Sequence, residues 1–355
     1  MPNHLAAIRF WLALVALLVF TLVIVGGATR LTESGLSIVE WKPVTGVLPP
    51  LSDNAWQAEF EKYQTIPQYA QRNLGMSLSD FKAIYWWEWT HRLLGRVVGA
   101  AFLIPFLWFL WRGWVGPRLR LHLWGIFGLG ALQGAVGWWM VASGLADRTE
   151  VSQYRLATHL LLASLILAAL IWTRVRLRSP TDPAVHPRIR TSAAVLLGLV
   201  LVQIYLGALV AGLRAGLVYN TWPLIDGAFI PDANRLWFDV PLWRNFFENA
   251  LTVQFNHRMM AYFLWICAVA HAIDTWVTMK RGPVVANALV IALAVTFQAT
   301  IGVATLLEQF DPGIALLHQA SAMLVLAFVV GRIARLTPVR ADARISPPLP
   351  VPSRR

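Results

Sequence analysis

The chain has 355 residues, of which 57% are apolar and only 14% charged, with a mean hydropathy of +0.57. This composition excludes a soluble domain of this length and indicates a polytopic membrane protein. The net charge of +12 gives no support to nucleic-acid binding, because Lys and Arg concentrate in alternate loops, as membrane topology and contact with anionic lipid require.

Eight stretches are long enough to span a bilayer, which takes roughly 20 predominantly apolar residues. They are 8–28, 84–111, 121–143, 155–173, 192–212, 250–278, 284–307 and 313–333. The first is too long for a cleaved signal peptide and no strong cleavage site follows it, so we expect it to be retained. The loops on the side of both termini hold the excess of Lys and Arg, which predicts cytoplasmic N and C termini.

In chain order, the first span leads into a long outer segment, 29–82, whose polar stretch 52–73 predicts a short amphipathic helix. An Arg- and Pro-rich cytoplasmic linker, 174–191, follows the fourth span. A Pro-rich tail, 336–355, is predicted to be disordered. The lone Cys267 falls inside a span, which excludes a disulfide framework and a thiolate metal site.

The two halves of the chain repeat one another. Matching residues keep their order, while the number of residues that separates them decreases along the chain. Gly26, Gly35 and Trp41 match Gly207, Gly216 and Trp222 at an offset of 181 residues, and His91-Arg92 matches His257-Arg258 at 166. Gln133 and Gly137 match Gln298 and Gly302 at 165, and His159 matches His318 at 159. Four crossings return a chain to its starting side, so this is a parallel repeat. We predict an all-α protein of two tandem four-helix bundles, 1–173 and 192–335.

Four histidines recur at one depth. His91, His159, His257 and His318 lie seven to nine residues inside the last outer charge, roughly 10–14 Å along their helices. They occupy the second and fourth helices of each half, where two imidazoles can ligate a haem iron from both sides. The alternative is a polar side chain satisfied by a neighbouring helix. A bare metal ion would require more ligands, and His271 lacks a facing partner for a second inner haem.

One carboxylate distinguishes the halves. Glu88 shares a helix face with the first histidine, and its counterpart is Gln254. A carboxylate inside a span costs several kcal/mol unless it is protonated, paired or hydrated. It either pairs with Arg92 or Arg96, or supports proton-coupled chemistry in the first half while the second half holds an electron carrier. Arg92 and Arg258 either cap carbonyls of the outer segments or pair with haem propionates.

Five motifs resemble those of the haem A synthase family, which occurs in aerobic bacteria and mitochondria. They are GGATRLTESGLS (26–37), EWTHRLLGR (88–96), YNTWP (219–223), FNHR (255–258) and LHQA (317–320). The resemblance covers about 8–335. Some bacterial members carry a cysteine pair in the outer segments; this chain lacks it and is similar to the mitochondrial and proteobacterial type, which excludes a thiol-based mechanism.

The resemblance implies oxidation of the C8 methyl group of haem O to a formyl group by successive hydroxylations, giving haem A. Glu88 would be the catalytic carboxylate, His91 and His159 would bracket the substrate haem, and His257 and His318 would ligate a haem b cofactor that relays electrons. The implied setting is the bacterial inner membrane, with the sites toward the periplasm. The implied partners are haem O synthase, cytochrome oxidase assembly factors and an electron donor that the sequence does not identify.

Three other classes of protein remain open. A dihaem quinone oxidoreductase of cytochrome b type would also need paired histidines, but at two depths in one bundle. A haem transporter would bind haem without changing it. A structural assembly factor would give no reason for Glu88.

Overall fold

The computed structural model describes residues 3–177, 185–309 and 311–338, and these ranges fold as α-helices joined by turns and loops. The helices are α1 (Asn3–Leu31), α2 (Asp53–Gln64), α3 (Pro67–Arg72), α4 (Leu78–Trp111), α5 (Pro117–Ala142), α6 (Gln153–Arg176), α7 (Pro187–Gly212), α8 (Ala215–Val218), α9 (Ala233–Leu236), α10 (Ala250–Met279), α11 (Pro283–Leu307) and α12 (Pro312–Leu336).

Eight helices of the described ranges are long and apolar enough to cross a membrane: α1, α4, α5, α6, α7, α10, α11 and α12. They confirm the all-α class and the eight predicted spans. Most of these helices begin before the predicted apolar stretches, and at α4 a polar side chain caps the start. At α4, the Ser77 hydroxyl accepts a hydrogen bond from the Asp80 N–H at 3.2 Å, an N-cap that places the start at Leu78 instead of residue 84.

The spanning helices pack as two rings of four. In the first half, α1 contacts α4 and α6, and α5 contacts α4 and α6. In the second half, α7 contacts α10 and α12, and α11 contacts the same two helices. The halves meet where α6 packs on α7 and α12, and where α1 packs on α12. The repeat relationship and the cytoplasmic location of the termini stay predictions.

The polar stretch 52–73 forms two short helices, where the sequence predicted one. Pro67 lies at the first position of α3, and α2 ends just before it, at Gln64, because proline supplies no N–H to continue a helix but suits its first turn. Aromatic side chains of this outer segment pack onto the outer end of α4, including the buried pair Tyr63 and Phe81, whose ring centroids are 5.3 Å apart.

Ion pairs hold the outer segment together. The Glu40 carboxylate lies 2.6 Å from both Lys42 Nζ and Lys62 Nζ. Hydrogen bonds from Lys42 and then Lys62 lower the pKa of Glu40 from 4.5 to about 2. Because Glu40 is 44% exposed, solvent screens these pairs and limits their contribution to stability.

The outer ends of the two halves are joined by charge. Arg214, which follows α7, lies 2.5 Å from Glu33 and 2.6 Å from Glu150 of the first half. Arg214 and Glu33 correspond at the repeat offset of 181, and both have left-handed backbone conformations, with φ of 50° and 55°. Of the predicted linker and tail, residues 178–184 and 339–355 lie outside the described residues.

Candidate functional site

Each of the four candidate histidines packs its ring against a glycine of the preceding membrane-spanning helix. A Cβ atom added to the glycine would lie within 3.2 Å of the nearest ring atom in each case. The distances are 3.2 Å from Gly26 to His91, 2.9 Å from Gly137 to His159, 3.0 Å from Gly207 to His257 and 2.7 Å from Gly302 to His318. Any larger residue would push the ring away. These glycines therefore let the imidazoles lie in the narrow space between two helices.

Three of the rings are also held by a glutamine one turn before that glycine. Gln133, Gln203 and Gln298 each donate from Nε2 to the main-chain carbonyl of the opposing histidine, at 3.1, 3.1 and 3.0 Å. The same amide nitrogens lie 3.0–3.2 Å from a ring nitrogen. Such contacts orient a histidine ring.

The first histidine has no such support. The position equivalent to Gln203 at the offset of 181 is Leu22, and within the described ranges no hydrogen bond reaches the His91 ring. The sequence reasoning noted two of the glutamines as repeat matches but missed their contact with the rings, and it missed Gln203 altogether. The recurring Gln-x-x-x-Gly spacing, three times ahead of a histidine helix, is the signal that could have found them.

The imidazoles fall into two pairs, one in each half: His91 of α4 with His159 of α6, and His257 of α10 with His318 of α12. In the first pair, Nδ1 of His159 is buried and has no hydrogen-bond partner. The residues present fit a haem in each half: two interior nitrogen ligands from the second and fourth helices, with bare glycine backbone beside each ring.

Glu88 is 2% exposed and fully hydrogen-bonded. One carboxylate oxygen accepts from Arg92 Nη2 at 2.6 Å and from Arg92 Nε at 3.0 Å. The other accepts from the Ser37 hydroxyl and the Ile38 N–H, both at 2.8 Å. This arrangement compensates a buried charge, since paired and bidentate contacts offset the loss of water.

The second half performs the same structural task without a charge. The Gln254 amide oxygen accepts from Arg258 Nη2 at 3.0 Å, four residues on, as Glu88 accepts from Arg92. Its amide nitrogen donates to the Tyr219 carbonyl at 2.6 Å, and Tyr219 corresponds to Ile38 at the offset of 181. A neutral amide therefore joins helix and outer segment in the second half, where the first half uses a carboxylate that accepts from the Ile38 N–H.

The three arginines near the sites bind carbonyl groups. Arg92 donates to the carbonyls of Glu40 and Ile38 at 2.8 and 2.7 Å, in addition to Glu88. Arg258 donates to the Tyr219 carbonyl at 3.1 Å. The carbonyl-capping role foreseen for both is present, while the propionate role stays a prediction.

Arg96, for which a polar partner was expected, donates to the carbonyls of Pro43 and Lys42 at 2.9 and 2.6 Å. Its Nη1 is buried without a hydrogen-bond partner. A cavity of about 360 Å³ beneath the outer segment is lined in part by Arg92 and Arg96. The outer segment thus covers this part of α4 and supplies the carbonyl groups that its arginines bind.

Two other histidines inside spanning helices, His271 and His122, have structural partners. His271 Nδ1 lies 2.7 Å from the Ser192 hydroxyl, and its Nε2 lies 3.4 Å from Arg332 Nη2. His122 Nε2 lies 2.7 Å from the Thr173 hydroxyl. Both nitrogens of His271 are therefore occupied by side chains, as expected of a polar residue satisfied by its neighbours.

Comparison with known proteins identifies related sequences over nearly the whole chain. Residues 9–330 match the model of a family described as cytochrome oxidase assembly protein. A protein of Rhodopseudomonas palustris (strain HaA2) named "Heme A synthase" is 58% identical over 351 residues, which cover 99% of this chain and 96% of the relative. A protein of the same name from strain BisB18 is 62% identical, covering 95% and 92%. Another, from Bradyrhizobium sp. (strain BTAi1), is 59% identical, covering 97% and 95%.

Proposed function

The chain belongs to the cytochrome oxidase assembly family that includes the haem A synthases, and on that premise we propose that it oxidises the C8 methyl group of haem O to the formyl group of haem A. The observation that carries this proposal is the asymmetry between two otherwise similar sites. Both offer a pair of interior imidazoles on glycine backbone, but only the first adds a buried carboxylate, Glu88.

We assign the substrate haem to His91 and His159, and a haem b cofactor to His257 and His318. The cofactor, when bound, supplies one-electron redox chemistry. Two features support this division. The second pair is held by glutamines on both sides, as suits a group that is retained. In the first pair only His159 has that support, as suits a ligand that must exchange.

Glu88 is assigned the proton chemistry. Oxidation of a methyl carbon through hydroxylated stages releases protons and develops positive charge. A fixed carboxylate can accept the protons and stabilise the positive charge. Ser37, Ile38 and Arg92 hold the carboxylate with four hydrogen bonds. Its position is therefore set before the substrate arrives, which is the condition for electrostatic stabilisation without reorganisation.

A direct contact between the halves supports their cooperation. Gln319, which follows His318, donates to the Val23 carbonyl of α1 at 2.7 Å and packs tightly on Gly27. Gly27 in turn follows Gly26, which supports the ring of His91. The two sites are thus separated by a short path of packed atoms, as a cofactor serving a neighbouring substrate requires.

The eight apolar helices indicate an integral multi-pass membrane protein. We place it in the bacterial inner membrane with both sites toward the periplasm, because the loops on the opposite side, which is the side of both termini, hold the excess of Lys and Arg. The expected suppliers and recipients are haem O synthase and cytochrome oxidase assembly factors. The electron donor and the source of the oxygen atom are not identified by any residue of the chain.

The test is pigment chemistry on the purified protein. Haem O is added with a reductant in air, and the haems are extracted and identified by mass. We expect haem A as product and haem b retained unchanged. A transporter would return haem O unaltered, and a quinone oxidoreductase would reduce quinone without changing any haem, so either result would contradict the proposal.

A further inference from the structure

Open space lies along two helices of the first half. Six glycines of α4 and α5 have no atom, beyond their own helix backbone and chain neighbours, within 4 Å of the position a Cβ would take: Gly95, Gly99, Gly125, Gly128, Gly130 and Gly134. Gly95 and Gly99 of α4 are half-buried, whereas the four glycines of α5 are exposed, so the open space reaches from beside α4 to the protein surface at α5. In a membrane, small residues usually serve close helix contact, but here they face no close neighbour.

The second half has larger residues at the corresponding positions. The repeat offsets of 166 for α4 and 165 for α5 place larger residues opposite all six glycines: Ala261, Trp265, Val290, Leu293, Val295 and Ala299. The difference is therefore systematic, since every substitution adds side-chain volume to the half assigned to haem b. In the second half Gly198 and Gly331 also meet nothing within 4 Å, but they lie on α7 and α12 and not on α10 and α11, the helices that correspond to α4 and α5.

One pair of residues closes the seam between α10 and α11. Trp265 Nε1 donates to the Thr296 hydroxyl at 3.0 Å, joining the two helices. Their first-half counterparts are Gly99 and Ala131, which have neither the indole nor the hydroxyl. We call the gap that results the α4–α5 seam, lined by Gly95, Gly99, Ala131 and Gly134.

The seam has closed ends. Toward the outer side, the Arg92 guanidinium lies 5.9 Å from the centre of the Trp138 ring of α5. Toward the inner side, the rings of Phe102 and Phe127 stack with centroids 6.1 Å apart. Arg92 and Phe102 are ten residues apart on α4, so the open stretch is about 15 Å long.

The seam adjoins a site with unused ligand atoms. His91 lies one turn from Gly95, and in the described part of the chain its ring receives no hydrogen bond. Gln133, which contacts the His159 ring, directly precedes Gly134. His159 itself lies on α6, and its buried Nδ1 has no hydrogen-bond partner within the described residues, so the site beside the seam has a nitrogen free to bind a ligand.

We propose that the α4–α5 seam receives the isoprenoid tail of the substrate haem and leads it from the site into the lipid. This inference rests on the proposed function and deepens it. Haem O carries a hydroxyethylfarnesyl chain where haem b has a vinyl group, so only the substrate needs such an exit. The half assigned to haem b is the half in which Trp265 and Thr296 close the seam.

The seam provides space for the tail but no net attraction, since lipid is as favourable an environment for an isoprenoid chain as the protein interior is. A side chain placed in it therefore excludes the tail and leaves the macrocycle's ligands in place. The test substitutes Gly99→Trp, alone and with Ala131→Thr, to copy the closed seam of the second half. The matched control is Val97→Trp on the same turn of α4, which is 44% exposed and whose counterpart is already aromatic, Phe263.

Equilibrium binding to the first site is measured with two probes, haem O and tail-less protohaem, in protein whose second site is filled. We expect Gly99→Trp to weaken haem O binding by about ten-fold or more, since overpacking costs about 1–3 kcal/mol, and to leave protohaem binding and the Val97→Trp control unchanged. If the tryptophan variant does not fold, Gly99→Leu is judged by the same ratio.

Equal weakening of both probes would show that the seam holds the macrocycle itself, and unchanged haem O binding would show that the tail lies elsewhere; either result overturns the inference. The ratio of the two affinities does not depend on turnover. A wild-type protein that binds haem O selectively but never converts it would refute the proposed function and leave the seam standing.

Discussion

Replacing Glu88 by Gln separates the charge of this residue from its structural role. The second half shows that a glutamine at the equivalent position, Gln254, still accepts from an arginine four residues on. In Glu88→Gln the amide oxygen can keep its bond to Arg92, and the Ser37 hydroxyl can turn to accept from the amide nitrogen. The Ile38 N–H would then lose its acceptor, which costs about 1–3 kcal/mol.

The effect on chemistry should be larger than the effect on stability. Loss of a positioned acid–base group lowers rates by about 10²–10⁴, so we expect bound haem O that remains largely unconverted, together with an unchanged haem b spectrum. Glu88→Ala should also lose conversion, and should unfold at a lower temperature because Arg92 would be left without its carboxylate, a loss of about 3–5 kcal/mol for a buried pair.

The assay is haem A formed per bound haem O, by extraction and mass, alongside thermal unfolding of the same preparations. Ser37→Ala is the matched control: it removes one hydrogen bond to the carboxylate but keeps the charge, and should retain most of the activity. A normal haem A yield from Glu88→Gln would refute the catalytic role and leave only the structural one.

Four further results are expected. Replacing His257, or its partner in the same half, by Ala should abolish the low-spin haem b spectrum; an unchanged spectrum would count against the ligand assignment. Gly302→Ala places a Cβ 2.7 Å from a ligand ring and should shift or weaken that spectrum, whereas Gly198→Ala, which meets nothing within 4 Å, should not. Leu22→Gln restores the missing Gln-x-x-x-Gly spacing and should increase retention of haem at the first site while slowing turnover; faster turnover would contradict an exchange role. Glu40→Gln should reduce hydrogen-exchange protection of the outer segment at neutral pH by less than about 1 kcal/mol; because folding lowers the Glu40 pKa from 4.5 to about 2, the wild-type advantage is complete above 4.5 and should disappear as pH falls toward 2.

The sequence predicted the spans well because the bilayer imposes a length and a polarity that composition records directly. It predicted helix ends less well: α4 begins at Leu78, where a serine cap and aromatic packing of the outer segment extend the helix past its apolar stretch. The division of 52–73 into two helices followed from Pro67, a local signal that the reading of the whole stretch as one helix did not use.

The sequence singles out the candidate site residues, but it does not reveal the contacts that support them. Intramembrane histidines and a carboxylate are conspicuous because they are costly in lipid. The contacts that hold them depend on which helices become neighbours, and helical periodicity does not determine this. Gln203 is one polar residue in a long apolar run, and its importance emerges only when it is seen against the His257 ring.

Three differences between the halves fall at positions that the repeat makes equivalent. Each of them suits the first half to a substrate and the second half to a retained group. The first half has a carboxylate where the second has Gln254, a leucine where the second has Gln203, and a glycine where the second has Trp265. A retained cofactor requires firmly oriented ligands and a closed seam, and it has no use for a proton acceptor. A substrate that enters, reacts and leaves requires a ligand free to move, an opening for its tail and a group to take up protons. Under the proposed assignment, the same four-helix scaffold serves both purposes because each change leaves the glycine contacts and the arginine link to the outer segment intact.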